Sequence, residues 1–359
     1  MQRVSRRVTT IAGTGVVALL LAGCGGSDTS TNVSDDKPKA EPAAAATATP
    51  LTLDTEPRQV QYTDRDKKAH ELTVHPATLE LGSADDLEGV RLDEKLRGMV
   101  PHYLTVSIAN NGAGEVKSAQ VINNFRLALA DGTAGTPVSF FSGNPLASPG
   151  DSPLETCNGT KAPRDLAAGQ EATECRVVLL PKDTKPATVS YSDESGVQLW
   201  KVEGGDAGSN LLPPDKSVKV QWKGTRDTEV PLTVKPRSVR EAGPNALADY
   251  KLNARQKAAT TYFVTLQYRN NGSDKLYPGM DKAVFLRTAS GQTLRPLTLI
   301  AIGSRGPKGC ESSVPYGMVE PGKSVRQCGV YLVGKGDKPV AVTFSSTADG
   351  AEPVTWQVP

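Results

Sequence analysis

Histidine, cysteine and aromatic side chains are all scarce in this chain, with 3 His, 5 Cys and 5% Phe, Trp and Tyr among 359 residues. Few histidines, together with the lack of Cys-x-x-Cys and His-Glu-x-x-His, leave no recognisable metal-ligand spacing. Gly-x-Ser-x-Gly is missing too, which removes the commonest hydrolase signature. Charge of either sign in excess is also absent. Residues 1–23 carry three arginines and no acid, so a chain cut after Gly23 has 38 Lys+Arg against 39 Asp+Glu. Nucleic acid would demand a basic footprint, and none is present. After the first 23 residues no long apolar run occurs, so no second stretch is suited to spanning a bilayer.

The N-terminus supplies the first positive signal. Arg3, Arg6 and Arg7 precede an uncharged, largely apolar run from Val8 to Leu21, and Leu21-Ala22-Gly23-Cys24 closes it. A basic head, a short apolar body and small residues read as an export signal. Leu-Ala-Gly-Cys resembles the bacterial lipobox, which implies cleavage before Cys24 and a diacylglycerol on its sulfur. The alternative is an ordinary secretory signal that happens to contain a cysteine. Ser5-Arg6-Arg7 hints at twin-arginine export, but Thr9 and Thr10 stand where that motif prefers apolar residues. The expected address is the extracellular face of the cytoplasmic membrane, held by lipid. From Gly25 to Pro50 the chain is Gly, Ser, Thr, Ala and Pro with scattered charge, too poor in large apolar residues to repay ordering. As a coil it would span about 25–30 Å.

Beyond it the chain repeats itself at a shift of 160. Leu72-Thr73-Val74-His75-Pro76 answers Leu232-Thr233-Val234-Lys235-Pro236, and the strand ending Asn110-Asn111-Gly112 answers the one ending Asn270-Asn271-Gly272. The shift then drifts to 159 at Gly132 and Gly291, 153 at the cysteines and 156 at Trp200 and Trp356, as insertions in loops produce. Within each copy the apolar period is two, as in Leu104, Val106, Ile108 and Val264, Leu266, Tyr268, which predicts half-buried antiparallel strands. Asn-Asn-Gly, Asp131-Gly132 and Ser290-Gly291 read as turns tolerating positive φ. The expected fold is all-β: two tandem immunoglobulin-like sandwiches. The expected boundaries are a signal over 1–23, lipidated Cys and disordered tether over 24–51, a first sandwich over 52–203, a linker over 204–214 and a second sandwich over 215–359. Asp86–Gly98 and Asn245–Ala258, rich in helix formers, are expected to be long loops with a helical turn.

Four cysteines lie outside the lipobox, and three pairings are open to them. The duplication selects Cys157–Cys175 and Cys310–Cys328, since each copy must fold alone. Each would close a loop worth about 3 kcal/mol in the chain-entropy view. A shared metal site is the rival, without the spacing for it.

The order Leu-Thr-Val-x-Pro, a strand ending Asn-Asn-Gly, a Gly turn at 132 or 291 and a second at Gly169 or Gly322 resembles the telokin-like immunoglobulin-fold domains of actinobacterial and firmicute surface proteins. The resemblance covers residues 55–203 and 215–359. It implies an extracellular β-sandwich lipoprotein and carries over no catalytic residue. The two disulfides depart from its pattern.

Candidate chemistry is sparse. His70, His75 and His102 all fall in the first copy and are expected to be surface residues beside strands. Acidic residues at 85, 86, 88, 93 and 94 lack the spacing of a calcium loop and read as solvated. Tyr62, Trp200, Trp222 and Trp356 read as covers for the ends of the cores, with a sugar-stacking platform as the sharper alternative. The loops before each first cysteine differ most between copies, so Ser142, Asn144, Asp151, Glu155, Arg305 and Lys308 are the candidate binding residues. No cofactor and no metal are expected. The functional expectation is a lipid-anchored cell-surface binding or scaffold protein, not an enzyme, that contacts a protein or a cell-wall polymer. The alternative is an envelope accessory factor, a metal- or stress-related chaperone or sensor.

Overall fold

The computed structural model describes residues 48–87, 90, 92–117, 119–138, 157, 165–205, 211–223, 229–299, 306–310 and 317–358. Among them the first repeat forms β1 (Thr49–Pro50), β2 (Arg58–Thr63), β3 (Ala69–Leu81), β4 (Met99–Asn110), β5 (Val116–Lys117), β6 (Phe125–Ala128), β7 (Thr136–Val138), β8 (Asp165–Leu166), β9 (Glu171–Pro181), β10 (Thr188–Ser192) and β11 (Val197–Lys201). The second forms β12 (Leu211–Leu212), β13 (Val218–Lys223), β14 (Glu229–Glu241), α1 (Ala254–Ala258), β15 (Thr260–Asn270), β16 (Val284–Thr288), β17 (Thr293–Leu294), β18 (Ser324–Val333), β19 (Pro339–Phe344) and β20 (Val354–Gln357).

Each repeat is a sandwich of two sheets. The first packs β1-β3-β4-β9-β7, with β2 also on β3, against β11-β10-β6. The second packs β13-β14-β15-β18 against β12-β20-β19-β16-β17. The period of two does the work it predicts. Leu104, Val106 and Ile108 turn inward with Leu72, Val74, Phe125 and Trp200, and Leu266, Tyr268, Phe344 and Trp356 fill the second core. The Leu-Thr-Val-x-Pro stretch has a structural reason. Proline cannot donate to a ladder, and in both copies the register slips there by one residue, between Pro76 and Thr78 and between Pro236 and Ser238.

Some strands are buried on both faces. Val177 and Leu179 pack outward with Tyr103, Leu87 and Cys157, while Val178 faces the inner core. Phe263, Val330, Leu247 and Cys310 make the matching outer cluster of the second copy. That explains the unbroken apolar run Val177-Val178-Leu179-Leu180. Cys157 is bonded to Cys175 and Cys310 to Cys328, with Cα atoms 5.5 and 5.2 Å apart. Each bridge ties its first cysteine onto this outer cluster.

Three expectations need adjusting. Thr49–Pro50, inside the stretch read as tether, pairs with Glu80 and Leu81, and Leu211–Leu212, inside the stretch read as linker, runs parallel to β20. Both carry apolar neighbours that a sheet edge can bury. The helical turns expected of the helix formers are present: Ala84–Leu87 and Glu94–Leu96 are short 3-10 turns, and α1 is held by a capping box between Asn253 and Gln256. Asn-Asn-Gly does not adopt positive φ. Instead Asn110 Nδ2 donates to the carbonyls of Gly114, Leu166 and Ala167, and Asn270 Nδ2 to those of Asp274 and Val319. The motif is a buried clasp, present twice.

Residues 46–359 form one unit, and a polar seam joins the sandwiches within it. Thr188 Oγ1 donates to the Ala289 carbonyl at 2.5 Å, Ser190 Oγ to that of Ser290 at 3.1 Å, and the Val197 amide to that of Lys335 at 2.8 Å. Arg287 Nη1 reaches Asp131 Oδ2 at 3.3 Å and Thr133 Oγ1 at 2.9 Å. Glycines permit this approach. A Cβ on Gly132 would stand 2.7 Å from the Thr288 carbonyl oxygen, and one on Gly336 would stand 2.3 Å from that of Val197. The four buried apolar clusters, by contrast, each draw on one repeat alone.

Candidate functional site

The seam leaves an open cleft of about 850 Å³ between the sandwiches. One wall is the β10–β11 turn, Ser192 to Val197, with Thr63, Asn124 and Arg126 beside it. The other wall is α1 with Gln292, Thr293, Leu294, Gly334 and Lys335. Alternation on β6 aims Arg126 outward, because Phe125 and Leu127 on either side belong to the core. Asp193 folds the turn upon itself: its Oδ1 accepts from the Ser195 amide at 2.7 Å, Ser195 Oγ at 2.6 Å and the Gly196 amide at 3.2 Å. Its other oxygen, Oδ2, is buried and has no hydrogen-bond partner among the described residues. Gln292 Nε2 donates across the gap to Ser192 Oγ at 3.2 Å.

The cleft is polar and carries both signs. Arg126, Arg255 and Lys335 form no side-chain hydrogen bond or ion pair among the described residues, while Asp193 and exposed Glu194 supply the negative charge. Unpaired cations held on strands, a capped helix and a turn can engage carboxylate, phosphate or hydroxyl groups without first breaking internal contacts.

The residues singled out from sequence are scattered. Cys24, Ser142, Asn144, Asp151, Glu155 and Arg305 lie outside the described residues. Lys308 is exposed two residues before Cys310, next to Gly309, whose carbonyl accepts from Arg240 Nη2, and it does not line the cleft. The reading of the histidines as surface residues fails for two of the three. His70 is buried, with Nε2 2.8 Å from Asp64 Oδ2, and the pair pins the β2–β3 hairpin. That hydrogen bond, with help from the Lys68 amide, holds the Asp64 carboxyl below the usual carboxylate range. Among the described residues no hydroxyl or thiol is hydrogen-bonded to this dyad in the position of a nucleophile. His102 is fully enclosed and neither ring nitrogen makes a well-formed hydrogen bond. Burial pulls its pKa down to about 4, against a smaller opposing pull from the backbone of Val100. Its place was legible: His102 continues the inward face of Leu104, Val106 and Ile108.

Trp200 and Trp356 are each 0% exposed, so neither is a sugar platform. Each indole donates to a main-chain carbonyl at the matching place, Glu56 at 2.7 Å and Lys216 at 2.8 Å. A phosphate-loop spelling, Gly-x-x-x-x-Gly-Lys-Ser over Gly317 to Ser324, runs into strand β18. A phosphate cradle needs a helix N-terminus there, and a strand offers none.

No protein-family model matches the chain, and no curated protein matches it in sequence. Among solved structures it is similar to a secreted protein from Mycobacterium tuberculosis, MPT63, determined at 1.5 Å resolution. The similarity covers 42% of this chain and 99% of that one, at 16% identity and a TM-score of 0.28.

Proposed function

We propose that this chain is a lipid-anchored protein of the outer face of the cytoplasmic membrane that works by recognition rather than turnover, with the seam cleft as its contact surface. The observation that carries this reading is the cleft itself. Its two walls come from different repeats, hydrogen bonds hold them at a fixed separation, and three cations on them have no hydrogen-bond or ion-pair partner among the described residues. Pockets between domains are where ligands commonly bind. The disulfides fit an oxidising, extracellular compartment, and Leu21-Ala22-Gly23-Cys24 fits lipid attachment. The partner class is a protein or cell-wall polymer with acidic or hydroxyl-rich groups.

Two experiments test this. Cys24→Ser should release the protein from the membrane or leave its precursor uncut, and unchanged retention and processing would remove the anchor. The mature chain without its lipid should sediment with isolated cell envelopes. Arg126→Glu, Arg255→Glu and Lys335→Glu together should weaken that binding at least tenfold, with the thermal transition unchanged. Equal retention of the triple variant would remove the cleft from the account.

A further inference from the structure

The module-one wall of the seam cleft has a counterpart in the second sandwich, and the counterpart is open and apolar. Strand pairing sets the correspondence: Leu127 opposes Val189 as Leu286 opposes Val342. Thr63, Arg126 and Ser192, which line the seam cleft, therefore match Lys223, Phe285 and Ser345, which line a concavity of about 480 Å³ with Trp222, Tyr277 and Lys282. In the first sandwich this place faces the second one across the seam cleft. In the second sandwich the matching place is a separate pocket.

The edge of the pocket has changed in the same direction. In the first repeat Lys117 and Asp165 are cross-strand partners on β5 and β8. The matching bridge in the second joins Leu276 to Val319, so Tyr277 and Met318 take the places of the charged pair. They are 57% and 41% exposed, the exposed large hydrophobic side chains among the described residues. A tyrosine and a methionine stand in water where the sister repeat uses a Lys and an Asp, so apolar surface is left available for burial. Lys282, on the pocket wall, has no hydrogen bond or ion pair among the described residues, whereas Lys223 is 3.4 Å from Asp349. Arg295 lies 5.4 Å from the Phe285 ring, which adds further positive charge nearby.

We propose that this pocket binds an amphiphilic organic anion, with an apolar or aromatic body against Tyr277 and Phe285 and a carboxylate, phosphate or sulfonate head at Lys282. Its size is that of a small-ligand site, apolar walls supply the burial, and the Lys282 ammonium, with only the adjacent Asp281 carboxyl acting on it among the described residues, supplies orientation.

The probes are anilinonaphthalene sulfonate and its uncharged relative N-phenyl-1-naphthylamine, titrated by fluorescence against the mature chain without its lipid. The sulfonate should bind at one per chain, at least fivefold more tightly than the uncharged arene. Tyr277→Ala should weaken it at least tenfold, and Lys282→Gln should abolish the preference for the charged probe. Dodecanoate or phosphatidylglycerol vesicles should displace it, and which of them succeeds identifies a free amphiphile or a lipid headgroup as the source. The seam triple variant should bind the probe as the parent does, which keeps this test separate from that of the cleft. Unchanged affinity in Tyr277→Ala, equal binding of the two probes, or displacement by neither competitor would overturn the proposal.

Discussion

The two sandwiches share a frame but differ in what they bury. Asn110 and Asn270, Trp200 and Trp356, and the two disulfides occupy matching places and make matching contacts. At two other matching places the first repeat encloses titratable groups and the second does not. His102 opposes Val178 where Tyr262 opposes Tyr331, and Glu174 opposes Val106 where Gln327 opposes Leu266. Burial pushes the Glu174 carboxyl up to about 7, against the Ile122 amide that donates to it and the nearby charge of Arg176. Gln327 donates to the Pro278 carbonyl at 2.6 Å with no charge to desolvate. The frame of the duplicated fold is thus uniform, while the opposed pair His102 and Glu174 belongs to the first repeat; in the second, burial raises the Asp281 carboxyl instead.

The largest expected effect tests the uniform part. Asn110→Ala and Asn270→Ala each strip several buried carbonyls of their donor, and each should cost its own sandwich about 3 kcal/mol. Chemical denaturation with the two transitions resolved would show this. A loss in only one repeat would break the equivalence of the clasps.

The next effect sharpens the difference. A carboxyl whose folded pKa is raised costs stability as pH climbs from its unfolded value near 4.5 to about 7, amounting to about 3 kcal/mol at pH 8. A histidine whose folded pKa is depressed to about 4 costs stability as pH falls from 6.5 to that value, again by about 3 kcal/mol. Between roughly pH 4.5 and 6.5 the two slopes oppose each other. Glu174→Gln should therefore stabilise the first sandwich at pH 8, leave it unchanged at pH 4, and expose a decline toward acid that the parent masks. Gln327→Glu should install the alkaline loss in the second sandwich. Identical pH profiles for parent and Glu174→Gln would contradict the burial argument.

A smaller effect concerns the seam. Because each apolar cluster belongs to one repeat, residues 48–203 and 211–358 should each fold alone with a cooperative transition. Gly336→Ala places a Cβ against the Val197 carbonyl at a φ of 86° and should weaken the coupling between the halves by about 1 kcal/mol. Halves that are soluble only together would show that the seam, not the cores, holds them.

Much of this frame was legible in the chain. The shift of 160, the period of two and the paired cysteines predict two sandwiches because side-chain alternation and cross-links are written directly into residue order. His102, expected at the surface, was misplaced, although the same alternation makes it the next inward position beyond Leu104. The seam was not legible, since it is made largely with the main-chain carbonyls of Ala289, Ser290 and Lys335, which any residue could present. The cleft inherits that silence: Arg126, Arg255 and Lys335 stand far apart in sequence and meet only because the turns interlock. Tyr277 and Met318 become conspicuous only after the strand pairing sets them beside Lys117 and Asp165.

Recognition at the seam is the central claim, and an amide-exchange footprint tests it most directly. The lipid-free mature chain, held on isolated envelopes, should gain protection at 192–197, 254–259 and 334–336, with residues 142–156 and 303–309 exchanging as in the free protein. Protection confined to those two segments, with the seam exchanging freely, would contradict the account and move binding to them.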